Sequence, residues 1–300
     1  MFIKNIIKSI KYSLRCINFK FHKNDTSDPS ILNKAPLAVF TMVHNEHQML
    51  RIWSSYYLKQ VGEGNVYIID HGSDHIKPLK GCKIISIEHS GIDEIDRAKQ
   101  IADFQKNLLE KYQFVLFTDC DEFLVARPSN YLSLVDYVRN QKNPTIQCVG
   151  IDVIEHEADL PPVDWNQPIL AQRPYGALRF WSCKALLSSV PVTWQPGFHT
   201  CDAPVTLDTN LWMFHLKYAD QKHLLNRLKL TRSLKWSDRA RAMQHGASHR
   251  VPDAAMIRFI QNFQKLRHET SLETLDLSKL VETGAESPMH AIPEIFLKAF

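Results

Sequence analysis

The sequence predicts an α/β protein with a mostly parallel sheet flanked by helices, and three observations carry that prediction. Short apolar runs rich in β-branched residues recur at 36–43, 66–70, 83–89 and 114–119. Amphipathic stretches of helical length separate the first run from the second and the third from the fourth. Polar residues gather just past the ends of three of those runs. Such alternation implies parallel strands joined by crossover helices, because a tight turn cannot join parallel neighbours.

Ahead of that array, "MFIKNIIKSIKYSLRCINFKFHK" places Lys or Arg at 4, 8, 11, 15, 20 and 23 and sets Ile3, Ile6, Ile7, Ile10, Leu14 and Ile17 at helical spacing. It reads as a basic amphipathic helix. The lysines interrupt any apolar core that a secretory signal would need. Residues 1–23 therefore either lie on an anionic inner membrane face as a peripheral contact or pack on the chain's own domain. The polar residues 24–30 read as a linker, which gives three regions: 1–33, 34–220 and 221–300.

"PLAVFTMV" is the first expected strand. "NEHQMLRIWSSYYLKQVG" is the first helix, with Leu50, Trp53, Tyr57 and Val61 on one face, Asn45 and Gln48 at capping-box spacing, and Gly62 as its stop. "VYIID" and "KIISIEH" supply two more strands, "DEIDRAKQIADFQKNLLEKY" a second helix and "FVLFTD" a fourth strand. Past residue 140, "TIQCVGIDVI" reads as a strand, "HEADLPPVDWNQPIL" as a proline-bearing loop, and "WSCKALLSS", "VTWQPGFHT" and "LWMFHLKY" as strand-like pieces. From 220 onward "DQKHLLNRLKLTRSLKW" and "DAAMIRFIQNFQKLRHE" predict a helical C-terminal extension, and Pro288 and Pro293 break up the tail.

Composition narrows the function classes. The chain has 300 residues, 44% hydrophobic and 23% charged, which suits one large domain or a domain with an appendage. A net charge of +4, without a dense basic face interleaved with aromatics, argues against nucleic acid as a partner. Cysteines 16, 82, 120, 148, 183 and 201 form neither a C-x-x-C pair nor a Cys/His cluster, so reduced thiols and a cytoplasmic location are expected. No stretch approaches the roughly 18 unbroken apolar residues of a membrane-spanning helix.

The chemistry is expected beyond the carboxyl ends of the strands, where open α/β sheets bind ligands. His44, Asn45 and Glu46 follow the first strand, Asp70 and "HGSD" the second, and "DCDE" the fourth. In an extended segment Asp119 and Asp121 project to one side and Cys120 to the other, a forked oxygen site suited to Mg2+ or Mn2+, with Glu122 orienting the pair. Alternatively the two aspartates cap a turn or pair with Lys or Arg from a neighbouring loop.

"TMVHNEHQMLRIWSSYYLKQVGEGNVYIIDHGSDH", followed by "FTDCDEFL", resembles the glycosyltransferase family 2-like group of GT-A glycosyltransferases, whose members show an N-E start, a D-x-G-S-x-D turn and a D-x-D-E-F signature in that order. The resemblance covers residues 36–220. It implies a Rossmann-like, nucleotide-sugar-binding catalytic domain in which Asp70 contacts the base or ribose, Asp119 and Asp121 bind ribose and the metal bridging the diphosphate, and His44, Asn45 and Glu46 line the nucleotide pocket. It also implies that His215 of "LWMFHLKY" completes the metal sphere. Lys217, on the same side of an extended strand as His215, is placed to neutralise the leaving diphosphate. His199 of "PGFHT" is read as a phosphate or acceptor contact or as a loop stabiliser.

Glycosyl transfer with inversion, expected from the resemblance alone, needs a base for the acceptor hydroxyl. Asp152, Glu155 and Asp202 are the candidates carried forward, with Glu157 and Asp159 weighed beside them. No base motif of the family is evident in the second half. Five of the six tryptophans, at 165, 181, 194, 212 and 236, read as packing before sugar platforms. His245 and His249 have i, i+4 spacing, but Gly246 between them argues for an exposed turn.

The expected function is metal-dependent transfer of a sugar from a nucleotide-diphosphate donor, a UDP-sugar first among them, to a hydroxyl of a glycan or lipid-linked glycan. The C-terminal helices are expected to cover the acceptor side or form a homodimer contact. Two alternatives stand beside it: a sugar-phosphate nucleotidyltransferase, although "TMVHNEH" lacks the glycines of a phosphate loop, and a non-catalytic nucleotide-sugar-binding protein.

Overall fold

Eleven strands join in one mixed sheet in this computed structural model, which describes residues 34–88 and 91–300. The basic segment 1–23 lies outside the described residues. β1 (Ala35–Val43), β2 (Val66–His71), β3 (Cys82–Ile87) and β4 (Tyr112–Phe117) run parallel in the spatial order β3-β2-β1-β4. The crossover helices are α1 (His47–Val61) between β1 and β2, and α2 (Glu94–Leu108) between β3 and β4. The chain moves outward from β1 to β3 and then returns to the other side of β1. That reversal opens a crevice beyond the carboxyl ends of β1 and β4.

After β4 the expectation of a mostly parallel sheet fails. Only residues 118–121 separate β4 from β5 (Glu122–Ala126), too few for a crossover. α3 (Leu134–Arg139) leads to β6 (Thr145–Ile154), α4 (Ile169–Gln172) to β7 (Tyr175–Leu178), and β8 (Leu187–Ser188) to the long β9 (Thr206–Tyr218). β5 pairs antiparallel with β9, and β6 pairs antiparallel with β7 and β8 but parallel with β9. "VTWQPGFHT" forms no strand of its own; it turns at Phe198, whose φ is 60°, and closes by a single bridge between Trp194 and Cys201.

The C-terminal extension is not purely helical. Helices α5 (Gln221–Ser233), α6 (Asp238–Ala242), α7 (Asp253–Gln264) and α8 (Leu277–Thr283) are interleaved with β10 (Arg267–Ser271) and β11 (Met289–Ala291), which extend the sheet beyond β7. The expected helix 253–269 takes in "RHE", but 267–271, "RHETS", form β10. It is a polar, largely exposed edge strand without the apolar alternation that would announce it.

Helix α1 shows how packing fixes the acidic turn. Met49, Leu50, Trp53, Tyr56, Tyr57 and Val61 are buried, each large side chain contributing about 1.5–3 kcal/mol by leaving water. The same face reaches β5. Tyr56 donates to the Leu124 carbonyl at 2.6 Å, Tyr57 donates to that of Glu122 at 3.1 Å and accepts from Leu124 N–H at 2.9 Å, and Trp53 donates to Thr118 Oγ1 at 2.8 Å. The expected capping box is absent: Glu46 is the N-cap and makes no side-chain cap bond. Asn45, at φ 53°, spends its amide on the 73–74 loop instead. Gly62 ends the helix as expected.

A second, smaller core lies behind the sheet, where Leu224 and Leu228 of α5 and Met256 and Ile260 of α7 pack on Ile154, Ala177 and Tyr218. Cys82, Cys120, Cys148, Cys183 and Cys201 are free thiols. No helix among the described residues is long and apolar enough to cross a membrane.

Candidate active site

The crevice beyond β1 and β4 is walled by two loops that cross-link each other. After β1, His44 Nδ1 donates to the His71 carbonyl at 2.9 Å, Asn45 N–H donates to Ser73 Oγ at 2.9 Å, and Asp74 N–H donates to Asn45 Oδ1 at 2.9 Å. Asp70 is buried and accepts from Ser73 N–H at 3.0 Å, so its carboxylate shapes the "HGSD" turn. Glu46 forms an ion pair with Arg227 of α5, which also donates to the carbonyls of His44 and Asn45 at 3.0 and 3.3 Å. Burial, partly offset by Arg227, raises the Glu46 carboxyl to about 7.

The expected fork of Asp119 and Asp121 is divided between two partners. Asp119 pairs with Arg97 from the first turn of α2, while Asp121 Oδ2 faces His215 Nε2 at 3.5 Å. Both carboxyls are partly open to solvent. Although burial opposes it, Arg97 and Lys184 hold Asp119 below the usual carboxylate range, and His215 and Lys217 do the same for Asp121. Glu122 points inward, fully buried. It accepts from Asp119 N–H at 3.2 Å and from Lys184 Nζ at 2.5 Å.

Strand register explains why residues distant in sequence meet here. Glu122 of β5 stands opposite His215 of β9, and His215 stands opposite Asp152 of β6, so the three form one row across adjacent strands. His215 Nδ1 donates to Asp152 Oδ1 at 2.9 Å, and Ser182 Oγ and Trp181 Nε1 also donate to Asp152, at 2.7 and 3.2 Å. With Nδ1 occupied, Nε2 is the nitrogen presented to Asp121. Burial disfavours the imidazolium, but Asp121 and Asp152 outweigh it and raise His215 to about 10. Two glycines permit the close packing around Asp152. A Cβ on Gly150 would lie 2.0 Å from the Ser182 carbonyl carbon, and one on Gly176 would lie 2.9 Å from the Asp152 carbonyl oxygen.

Lys217, two residues past His215 on the same face of β9, is half-buried, and burial lowers its ammonium. Arg97, Lys184 and Arg227 each touch a carboxylate; Lys217 instead lies 5.7 Å from the centroid of the Tyr218 ring. His199 donates Nδ1–H to the Trp181 carbonyl at 2.7 Å. Burial and the neighbouring Lys184 lower it to about 4, so the ring is neutral.

The three candidate bases are placed apart. Asp152 sits behind His215 with its oxygens already engaged, the position of an orienting group. Glu155 accepts from Gln221 N–H at 2.9 Å at the start of α5 and lies 4.0 Å from Arg173. Asp202 is exposed and accepts from Thr193 N–H at 2.8 Å, closing the 193–202 loop.

Sequence reasoning did not single out Arg97, Lys184, Arg227 or Ser182. Lys184 alone left a signal, as a charge inside the apolar run "WSCKALLSS". Among the described residues no three His, Cys, Asp or Glu side chains are grouped to hold a metal as they stand. The closest approach to a donor set is Asp121 with His215, whose far nitrogen is anchored on a buried carboxylate in the manner of metal-binding histidines. No protein-family model matches the chain, and no curated protein matches it.

Proposed function

We propose that the chain is a GT-A-type glycosyltransferase acting on a nucleotide-diphosphate sugar, with Asp121 and His215 as the protein ligands of a Mg2+ or Mn2+ ion. The observation that carries this reading is the Asp121–His215–Asp152 line at the switch point of the sheet, with Lys217 two residues past His215 on the same strand. Charge supports it. Asp119, Asp121 and Asp152 are held as carboxylates beside Arg97, Lys184, Lys217 and protonated His215, while burial raises the carboxyls of Glu46, beside Arg227, and Glu122. The ion would displace that proton and give the centre a net positive charge toward a diphosphate.

Each residue then has a task. Asp152 holds His215 in the tautomer that presents Nε2. Among the described residues no carboxylate contacts Lys217, which leaves it to meet a developing phosphate charge. The cross-linked 44–46 and 70–74 loops form the floor against which a nucleoside would rest. A glycan or lipid-linked glycan hydroxyl is the proposed acceptor, and the base is not assigned.

The test is UDP-sugar turnover by the full chain with MnCl2. Asp121→Ala should lose manganese-dependent hydrolysis by orders of magnitude while keeping its melting temperature within a few degrees. Wild-type protein that neither hydrolyses nor is thermally stabilised by any UDP-sugar with manganese would overturn the reading. The Arg97–Asp119 contact favours a second reading, a nucleotide-sugar binder with an internally neutralised centre. That protein would be stabilised by UDP equally with and without manganese.

A further inference from the structure

The loop after β8 carries a group suited to the base left unassigned above. Residues 193–202 fold back as a clasp: Asp202 accepts from Thr193 N–H at 2.8 Å, Gln195 N–H donates to the Thr200 carbonyl at 2.9 Å, and Trp194 Nε1 donates to the Ala185 carbonyl at 2.9 Å. Asp202, itself a candidate base, is thus the fastener of this loop. The tip of the clasp rests against the acidic turn. Phe198 is buried, its ring centroid 4.7 Å from that of Phe117, the last residue of β4. The Arg97 guanidinium lies over the same ring at 4.9 Å while it pairs with Asp119. These contacts set His199, the next residue, beside the charged centre.

Trp181 ties His199 to His215. Its carbonyl accepts from His199 Nδ1 at 2.7 Å, and its indole N–H donates at 3.2 Å to Asp152, the carboxylate that orients His215. Both imidazoles are thereby held by Nδ1 and present Nε2, but they have different partners: His215 stands between two carboxylates, whereas His199 bonds a carbonyl. Among the described residues Nε2 of His199 makes no hydrogen bond, and the residue is partly exposed. Gly197, at φ 85°, keeps that nitrogen uncrowded, since a Cβ there would lie 2.9 Å from Nε2 and from Cδ2.

We infer that His199 is the general base of the transfer proposed above, its Nε2 taking the proton of the acceptor hydroxyl. The assignment rests on the donor-site reading. As the hydroxyl oxygen bonds to the anomeric carbon, the bond from that carbon to the diphosphate breaks, its electron pair leaves with UDP, and the imidazolium passes its proton to water. Burial, Lys184 and His215 disfavour the imidazolium, while the Trp181 carbonyl and Asp119 favour it; the balance, at about 4, leaves Nε2 unprotonated at neutral pH. Two histidines pushed in opposite directions suit one site in which one ring binds and the other takes a proton.

Hydrolysis of UDP-glucose, UDP-galactose and UDP-N-acetylglucosamine by the full chain with MnCl2, with water as the acceptor, tests the assignment. His199→Gln keeps a donor for the Trp181 carbonyl but has no base. It should melt within a few degrees of wild type at neutral pH, keep its stabilisation by UDP with MnCl2, and lose hydrolysis about 100-fold or more. Added imidazole should restore part of the rate to His199→Ala, and the restored rate should rise between about pH 6 and 8 as free imidazole loses its proton. Hydrolysis by His199→Gln within about threefold of wild type overturns the assignment. So does loss of its stabilisation by UDP with manganese, which would make His199 a donor contact, and so does imidazole that restores nothing to His199→Ala. Wild-type protein inert toward all three sugars removes the donor reading and the base together; wild-type turnover matched by the variants removes the base alone.

Discussion

In the parallel half of the sheet the strand ends offer acids: Glu46 after β1, Asp70 at the end of β2, and Asp119 and Asp121 after β4. The half built from β5 to β9, with α5 behind it, answers with Lys184, His215, Lys217 and Arg227. Neither half could bury its own share alone, since an unpaired charge removed from water is costly. The difference teaches that the centre exists only when the two halves are docked, and that its charges hold the seam while they prepare it for a ligand. The division is not complete: the parallel half supplies Arg97 to its own Asp119, and the second half pairs its own Glu122 with Lys184 and its own Asp152 with His215.

The largest effect is expected inside the second half, from removing Lys184. Glu122 would then be buried without its cation, and Lys184→Met should cost about 3–5 kcal/mol in urea unfolding. Adding Glu122→Gln should recover most of that loss, because the amide can still accept from Asp119 N–H. A double variant as unstable as the single one would mean that packing, not the buried Lys184–Glu122 charge pair, sets the cost.

Acid should reach the antiparallel side next. His199 falls from an ordinary value of 6.5 to about 4 in the folded chain, so the unfolded chain binds its proton first as pH drops. The stability held by the neutral ring is complete above pH 6.5 and is lost as pH falls through 4, about 3 kcal/mol in all. Unfolding midpoints of wild type and His199→Gln should diverge across that window, with the variant less pH-sensitive; parallel curves would remove His199 from the balance.

The smallest expected effect sharpens the parallel side. Tyr57→Phe leaves the ring in place but strips the hydroxyl from Glu122 and Leu124, and about 1–3 kcal/mol should go with it. An unfolding free energy unchanged by that substitution would show that the β5 backbone groups find other partners.

The parallel half was legible because each of its elements announces itself locally, by apolar runs for β1, β2 and β4 and by one buried face on α1. The other half depends on register, which no local pattern states. Nothing near residue 215 reveals that Asp152 will stand beside it, and Asp152 therefore read as a candidate base, whereas the structure places it behind the imidazole. Asn45 misled for a related reason: its amide satisfied a distant loop in preference to the adjacent helix end. His249 looked exposed because the tertiary turn over Trp236 cannot be inferred from "QHGASHR".

The phenols of Tyr56 and Tyr57 have a further consequence. They occupy backbone groups on β5 that an additional strand would otherwise seek, so the strand following the acidic turn is shielded from edge-to-edge association with another chain. A helix serves there as a stopper, and the turn that bears the charge is spared the aggregation risk that an open β edge would bring.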